Sequence, residues 1–117
     1  MIKTGNEIVD LSFEFALSII EFSEILENNK KFVIANQIMK SGTSIGANVK
    51  EAQNAESKAD FIHKMKIAAK EAEETEYWLL LCHWSNNYPD TKELQDKLIS
   101  IKKLLNKIIS SSKKPTH

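Results

Sequence analysis

The chain is poor in residues that break or cross-link a backbone: among 117 residues there are three glycines, two prolines and one cysteine, Cys82. A single cysteine excludes an internal disulfide, and so few breakers argue against a loop-rich fold. No apolar run approaches the roughly 20 residues that a bilayer crossing needs, and the N-terminal residues lack the charged-then-apolar layout of a signal peptide. We therefore expect one cytoplasmic domain over residues 1–117, with a frayed tail at about 111–117.

Arginine is missing altogether: all 16 basic residues are lysines, and 16 acidic residues bring the formal net charge to zero. Arginine supplies the planar fork that reads guanine or holds a phosphate with two hydrogen bonds, whereas lysine offers only a point charge. Base-specific recognition of nucleic acid is therefore not expected. Looser contact between lysines and phosphates stays open.

The motifs of catalytic and metal sites are also missing from the sequence. It has no glycine-rich phosphate loop and no recognisable Ser/His/Asp set. A di-metal site in a helical bundle needs two Glu-x-x-His motifs, and only Asp60 to His63 resembles one. His83 follows Cys82 directly, so the two side chains would point about 100° apart on a helix. We interpret Cys82 as a small buried apolar residue, and we predict no enzymatic activity, no cofactor and no metal.

Apolar residues recur every three or four positions in four segments, which predicts four helices. The segments run from Glu7 to Glu27, from Lys31 to Ala55, from a capping box at Ser57–Asp60 to about Ser85, and from Lys92 to Ser110. Rods of similar length with short connections favour an all-α, antiparallel up-down-up-down four-helix bundle. A break in the second helix near Gly42 is the alternative, because Gly42 and Gly46 each cost about 1 kcal/mol relative to alanine.

The same spacing predicts which side chains face inward. They are Ile8, Leu11, Phe15, Ile19, Phe22 and Leu26 in the first helix; Phe32, Ala35, Ile38, Gly42, Ile45, Val49 and Ala52 in the second; Phe61, Met65, Ala68, Ala72, Thr75, either Trp78 or Leu79, and Cys82 in the third; and Leu94, Leu98, Ile101, Leu105 and Ile108 in the fourth.

Further apolar residues lie outside these stripes: Phe13, Leu17, Ile20 and Ile25; Ile62, Leu80, Leu81 and Trp84; Leu104 and Ile109. One interpretation is that the core of a single bundle uses all of them. The other is that they form a second seam that packs against another copy of the chain, as large apolar patches usually do in closed symmetric oligomers.

Charge is distributed unevenly along the chain. Six acidic residues and one lysine lie between Lys3 and Glu27, and seven lysines and three acidic residues lie between Asp90 and His117. An acidic stripe on the first helix (Glu7, Asp10, Glu14, Glu21, Glu24) is predicted to face a basic stripe on the last, made of Lys92, Lys103, Lys107 and Lys114 or of Lys102 and Lys113. The facing could be within a subunit or between subunits, and it would set register more than stability.

Polar residues also line one side of the second helix: Ser41, Ser44, Asn48 and Glu51. Polar groups beside a core are costly unless they are paired. We predict a structural hydrogen-bond network in which Ser44, Asn48 and Glu51 meet Lys70, Glu71 and Glu74 of the third helix. The alternatives are a solvated acidic face around Glu71–Glu76 and a binding pocket lined by these polar groups.

These polar residues also carry a resemblance. The segments Ser41 to Ala52, Asp60 to Met65 and Lys70 to Leu79, with the core Ser44-Ile45-x-x-Asn48-x-x-Glu51, resemble the small four-helix-bundle proteins encoded in intervening sequences of bacterial 23S ribosomal RNA genes. The resemblance covers nearly the whole chain and implies the four-helix fold. It also implies homo-oligomers, because relatives form rings of five subunits.

A branch related to that family is the accessory variability protein of diversity-generating retroelements, a strongly basic pentamer that binds nucleic acid and a reverse transcriptase. The present chain departs from that branch, since it is neutral and has Lys40 where relatives often carry arginine. The leading expectation is a non-enzymatic oligomeric scaffold whose main partner is itself. The runner-up is an RNA- or DNA-binding protein that uses Lys102, Lys103, Lys107, Lys113 and Lys114; another protein is a further candidate partner.

Overall fold

The computed structural model describes residues 3–114, and within them the chain forms four α-helices: α1 (Glu7–Asn28), α2 (Phe32–Ala52), α3 (Lys58–Trp84) and α4 (Lys92–Ser112). Each helix packs against the next, and α4 also packs against α1. The helices therefore follow one another around the bundle, with α1 diagonal to α3 and α2 diagonal to α4. This confirms the predicted all-α four-helix bundle, which measures 54 × 28 × 20 Å.

The helix ends lie close to the predicted positions because local hydrogen bonds fix them. Ser57 Oγ accepts from the backbone amide of Asp60 at 3.0 Å, which starts α3. The Asp60 carboxylate reaches the amide of Glu56 at 3.4 Å, one residue before the amide that a capping box would use. α4 continues to Ser112, two residues beyond its predicted end. Residues 115–117 of the predicted frayed tail lie outside the described residues.

The turn between α1 and α2 is closed by a left-handed residue. Lys30 has φ 62°, its amide donates to the carbonyl of Glu27 at 2.9 Å, and the amide of Lys31 donates to that of Leu26 at 2.8 Å. This is the pattern of a Schellman motif, which satisfies carbonyls at the end of a helix. It allows α2 to turn back at once along α1.

The core contains most of the side chains that the spacing predicts to face inward; Leu11 and Phe61 pack against it partly buried, and two predictions are corrected. Phe32 is 57% exposed, because it is the first residue of α2 and lies at the end of the bundle. In α4, Ile109 is buried and Ile108 only partly so, since Ile101, Leu105 and Ile109 repeat every four residues. Of the two alternatives in α3, Leu79 is the one that faces the core, whereas Trp78 packs at its margin.

α2 is continuous through both of its glycines, so the alternative of a break near Gly42 is wrong. A Cβ atom at Gly42 would lie 2.8 Å from Cγ1 and Cγ2 of Ile19, and one at Gly46 would lie 3.2 Å from the carbonyl oxygen of Ser12. Both glycines therefore permit α2 to approach α1 closely. This packing compensates for their low helix propensity.

Within one subunit, the charged stripes do not meet as predicted. Lys102 of α4 pairs with Glu73 at 2.9 Å and with Glu76 at 3.0 Å, both on α3. In α1, Glu14 pairs with Lys3. No ion pair joins α1 to α4 in residues 3–114, and Lys102, the partly buried lysine of α4, points toward α3 instead. A facing of the stripes between subunits stays a prediction.

Candidate interaction surfaces

The polar residues of α2 form their hydrogen bonds within that helix. Ser44 Oγ donates to the carbonyl of Lys40 at 2.6 Å, and Asn48 Nδ2 donates to the carbonyl of Ser44 at 2.9 Å. Across the part of the chain that the structure describes, no hydrogen bond links Ser44, Asn48 or Glu51 to Lys70, Glu71 or Glu74. Hydroxyl and amide groups in a helix commonly donate to the backbone carbonyl four residues earlier. Ser44 and Asn48 both do so, and they therefore do not need a partner on the third helix.

A different pair connects α2 with α3. The Oγ atoms of Ser41 and Thr75 lie 3.0 Å apart, and both side chains are fully buried. Thr75 Oγ1 also donates to the carbonyl of Glu71 at 2.7 Å. The sequence placed Ser41 on the polar line and Thr75 inward, but it gave no indication that the two would meet.

Glu71 lies at the edge of this region and is partly buried. Burial raises the pKa of its carboxyl group, and the charge of Glu74 adds to that effect, while Lys40 and Lys70 oppose it. Lys40 belongs to α2, so its charge acts on Glu71 across the helix boundary. Glu74 accepts a hydrogen bond from Trp78 Nε1 at 3.3 Å on the outer side of α3.

Two apolar patches face away from the core. The α1 patch consists of Phe13, Leu17 and Ile20, and the α3 patch consists of Tyr77, Leu80, Leu81 and Trp84. All seven side chains are exposed, Trp84 to 80%. Because α1 and α3 are diagonal in the bundle, the two patches lie on opposite sides of the molecule.

The other apolar residues that lie outside the predicted inward stripes are divided between core and surface. Ile109 is buried, Ile62 and Leu104 pack against the core, and Ile25 is exposed outside the two patches. Tyr77 belongs to the α3 patch although the sequence did not indicate it. Neither a single core that uses all of these additional apolar residues nor a second seam made of all of them is therefore complete: some are buried in the core and others face outward.

A pocket of about 640 Å³ lies in the groove between α1 and α2, beside the α1 patch. Its lining is mostly apolar and consists of Thr4, Val9, Asp10, Phe13, Ala16, Thr43, Gly46, Ala47 and Lys50. The Asp10 carboxylate accepts from the Thr4 amide at 3.0 Å and from the Thr4 hydroxyl at 2.8 Å. These hydrogen bonds lower the pKa of Asp10, and the positive charge of Lys3 lowers it further.

Comparison with known proteins decides the family. A sequence model of the 23S rRNA-intervening sequence protein matches residues 4–107. The chain belongs to this family. The fold is similar to the crystal structure of a protein of unknown function from the S23 ribosomal protein family of Bacteroides thetaiotaomicron VPI-5482. The two chains share 46% sequence identity with a TM-score of 0.83, over 87% of this chain and 97% of the other.

Neither of these two descriptions names a catalytic activity. A search of curated proteins found no match. None of the helices within residues 3–114 has the length and apolarity of a membrane span.

In this member of the intervening-sequence family, the lysines proposed for nucleic acid contact are not equivalent. Lys102 is held by its two glutamates, and their hydrogen bonds raise its pKa against the opposing effect of burial. Lys103, Lys107, Lys113 and Lys114 are exposed, and in the described range none of them forms an ion pair. Of the five lysines proposed for this contact, these four therefore carry a charge that no ion pair within residues 3–114 compensates.

The thiol of Cys82 is buried, as predicted, and burial raises its pKa to about 11. Such a thiol stays protonated near neutral pH and is a poor nucleophile. His63 and His83 are exposed, and residues 3–114 contain no group of three potential metal ligands.

Proposed function

We propose that the protein is a non-enzymatic scaffold of the bacterial cytoplasm that assembles with copies of itself through the α1 patch and the α3 patch. The observation that carries this proposal is the outward position of seven large apolar side chains on two helices. Exposed apolar side chains scattered singly are normal on a protein surface, but contiguous groups mark interaction sites. Here they are grouped, with Leu80, Leu81 and Trp84 within five consecutive residues.

The position of the patches favours a ring over a two-fold dimer. A two-fold interface uses the same patch on both subunits, so it would cover one of the two patches and leave the other in water. A head-to-tail interface, with the α1 patch of one subunit against the α3 patch of the next, covers both. Such an interface produces a closed ring if the rotation closes, and the resemblance to ring-forming relatives favours five subunits.

A role without turnover is supported by the chemistry of the described side chains. Cys82, the one thiol, is buried and protonated, and the charged pair at Lys102 joins α4 to α3 rather than lining a cleft. The pocket between α1 and α2 presents mostly apolar atoms and a carboxylate already engaged by Thr4.

Light scattering coupled to size exclusion tests this proposal. The wild-type chain should elute with several times the 13.3 kDa mass of one subunit, and five times that mass is expected. Leu17→Glu in the α1 patch and Trp84→Ser in the α3 patch should each reduce the mass to that of one subunit. Val33→Ser is the matched control, because Val33 is 79% exposed but lies in neither patch. A monomeric wild type, or equal effects of all three substitutions, would contradict the proposal.

A second candidate function is contact with RNA or DNA, because four lysines in the second half of α4 and just beyond it are exposed and form no ion pair in the described range. Each phosphate that is neutralised steepens the fall of affinity with salt. Anisotropy titrations with ribosomal RNA fragments at two ionic strengths should show this dependence, and Lys103→Gln with Lys107→Gln should reduce it. Lys66→Gln on α3 is the control. Absence of salt-sensitive binding at low ionic strength would remove this candidate.

A further inference from the structure

The α1 patch and the α3 patch have the same spacing along their helices. Phe13, Leu17 and Ile20 of the α1 patch are separated by four and then three residues. The same intervals separate three members of the α3 patch: Tyr77, Leu81 and Trp84. Each stripe therefore rises about 10.5 Å along its helix. Two stripes of equal length can pair along their whole length, either with the helices parallel or with them antiparallel.

The direction of the helices selects the parallel arrangement. α1 and α2 are antiparallel, because Gly46 faces Ser12 while Gly42 faces Ile19, which lies further along α1. The five residues 53–57 then return α3 along α2, and so α3 runs in the direction of α1. A rotation about a ring axis that lies along the bundles preserves this direction from one subunit to the next. In the proposed head-to-tail interface, α1 of one subunit and α3 of the next are therefore parallel.

Parallel pairing places Tyr77 opposite Phe13 and Trp84 opposite Ile20. Phe13 is the member of the α1 patch that lines the pocket between α1 and α2, so Tyr77 is the side chain that reaches this pocket. Antiparallel pairing would exchange the two positions and bring Trp84 to the pocket instead. The pocket volume of about 640 Å³ falls within the roughly 300–1,000 Å³ of sites that hold drug-sized molecules, so one phenol ring has room there.

The two charged residues of the lining fit a neutral hydroxyl better than an ion. Asp10 and Lys50 form no ion pair within residues 3–114, so an ion of either sign would meet one like charge. The Asp10 carboxylate accepts from the amide and the hydroxyl of Thr4 and has further acceptor sites, while the ammonium group of Lys50 has three donors. A phenol hydroxyl both donates and accepts, whereas the indole of Trp84 only donates. Tyr77 is 56% exposed, and its hydroxyl forms no hydrogen bond among the described residues.

From these observations we propose that the partner subunit's Tyr77 occupies the pocket between α1 and α2. Its ring packs on Phe13 in the offset or edge-to-face arrangement that aromatic rings prefer, and its hydroxyl donates to Asp10 and accepts from Lys50. The proposal rests on the head-to-tail assembly described above and adds its register. Each subunit's pocket is completed by a side chain of the next subunit, and the rest of the two patches meets in the same register.

Cysteine cross-linking of the full-length protein tests the register. Ala47 lines the pocket and is exposed, so a variant with Ala47→Cys and Tyr77→Cys should form disulfides between subunits under mild oxidation. Ladders of linked chains are then expected on a denaturing gel and should disappear on reduction. Ala47→Cys with Trp84→Cys is the matched control and should stay unlinked, and the buried Cys82 is common to both variants. Cross-linking through position 84 that equals or exceeds cross-linking through position 77 would overturn the proposal.

Substitutions that remove one polar group each test the hydroxyl contacts. Tyr77→Phe should weaken association by about ten-fold, the range of one hydrogen bond to a charged group, as measured by light scattering along a dilution series. Lys50→Met should also weaken association, and the two together should weaken it by less than the product of their separate effects. Tyr88→Phe is the matched control and should associate as the wild type does, since Tyr88 lies in neither patch and contacts Lys31 through its ring.

These measurements separate the position of Tyr77 from the assembly on which it depends. A monomeric wild type would remove both the assembly and the proposed contact. If Leu17→Glu disrupts the wild-type assembly but Tyr77→Phe associates as tightly as Tyr88→Phe, the assembly stands and the proposed contact of Tyr77 is refuted.

Discussion

The contact between Gly42 and Ile19 sets how closely α1 and α2 can pack, and Gly42→Ala measures it. The new Cβ would lie 2.8 Å from two carbons of Ile19, whereas non-bonded carbons prefer about 3.5–4.0 Å. Ile19 is fully buried and β-branched, so it cannot rotate aside freely. Overpacking of this kind lowers the free energy of unfolding by about 1–3 kcal/mol, and the better helix propensity of alanine offsets about 1 kcal/mol of that loss.

We therefore expect Gly42→Ala to destabilise the protein by about 1 kcal/mol, or by at most about 2 kcal/mol. Ile19→Ala alone should cost about 2–5 kcal/mol because it leaves a cavity. In that background Gly42→Ala should become stabilising, since the methyl group then enters the cavity and only the gain in helix propensity remains. The two sites should thus show a coupling free energy of about 1–3 kcal/mol.

Urea unfolding followed by far-UV circular dichroism, at one fixed protein concentration, provides the four free energies of the cycle. Gly46→Ala is the matched control, because its Cβ would meet the backbone of Ser12 rather than Ile19. It should destabilise the protein equally in both backgrounds. If Gly42→Ala has the same effect with and without the Ile19 side chain, close packing does not explain this glycine.

Three further substitutions and reactions test the polar and buried groups. Thr75→Val should cost about 1–2 kcal/mol in urea unfolding, because it leaves the buried hydroxyl of Ser41 without its partner on α3. Thr43→Val is the control and should be nearly neutral, because the Thr43 hydroxyl forms its hydrogen bonds only within α2. Equal effects of the two substitutions would contradict this reasoning. Cys82, with a pKa of about 11, should react slowly with iodoacetamide in the folded protein and rapidly in urea, and fast labelling of the native state would show that the thiol is accessible. The pKa of Lys102 is raised in the folded protein, so its ion pairs stabilise the fold below the unfolded pKa of 10.5, and this stability is lost as the pH rises through the folded pKa. Lys102→Gln should therefore cost up to about 1 kcal/mol at neutral pH and nothing in strong alkali. An equal cost at both pH values would refute the pairing.

The fold could be read from the sequence because the apolar spacing and the breaks agree at every helix. Ser57 and Asp60 marked the start of α3, and Pro89 marked the loop before α4. The errors in the predicted core arise at the end of a helix, as for Phe32, and between neighbouring positions of similar residue type, as for Ile108 and Ile109. Phe32 continues the apolar spacing of α2, but the spacing does not show where the neighbouring helix stops.

The interaction surfaces were harder to predict because they depend on distances between helices. The surplus of apolar residues on α1 and α3 was evident, yet only the bundle shows that Leu17 and Trp84 lie on opposite sides while Ile109 is buried. The Ser41–Thr75 bond and the pocket beside Gly46 both require the spacing of α2 against its neighbours. No periodicity in one helix contains that information.

In the proposed assembly, subunits join head to tail through two different patches, and mixing two single-patch variants tests this most directly. Leu17→Glu keeps an intact α3 patch, and Trp84→Ser keeps an intact α1 patch, so together they can form one interface and no second. Light scattering should show each variant as a monomer when alone and a one-to-one dimer in the mixture. If the mixture remains monomeric, or if either variant alone still forms the wild-type assembly, the head-to-tail account is wrong.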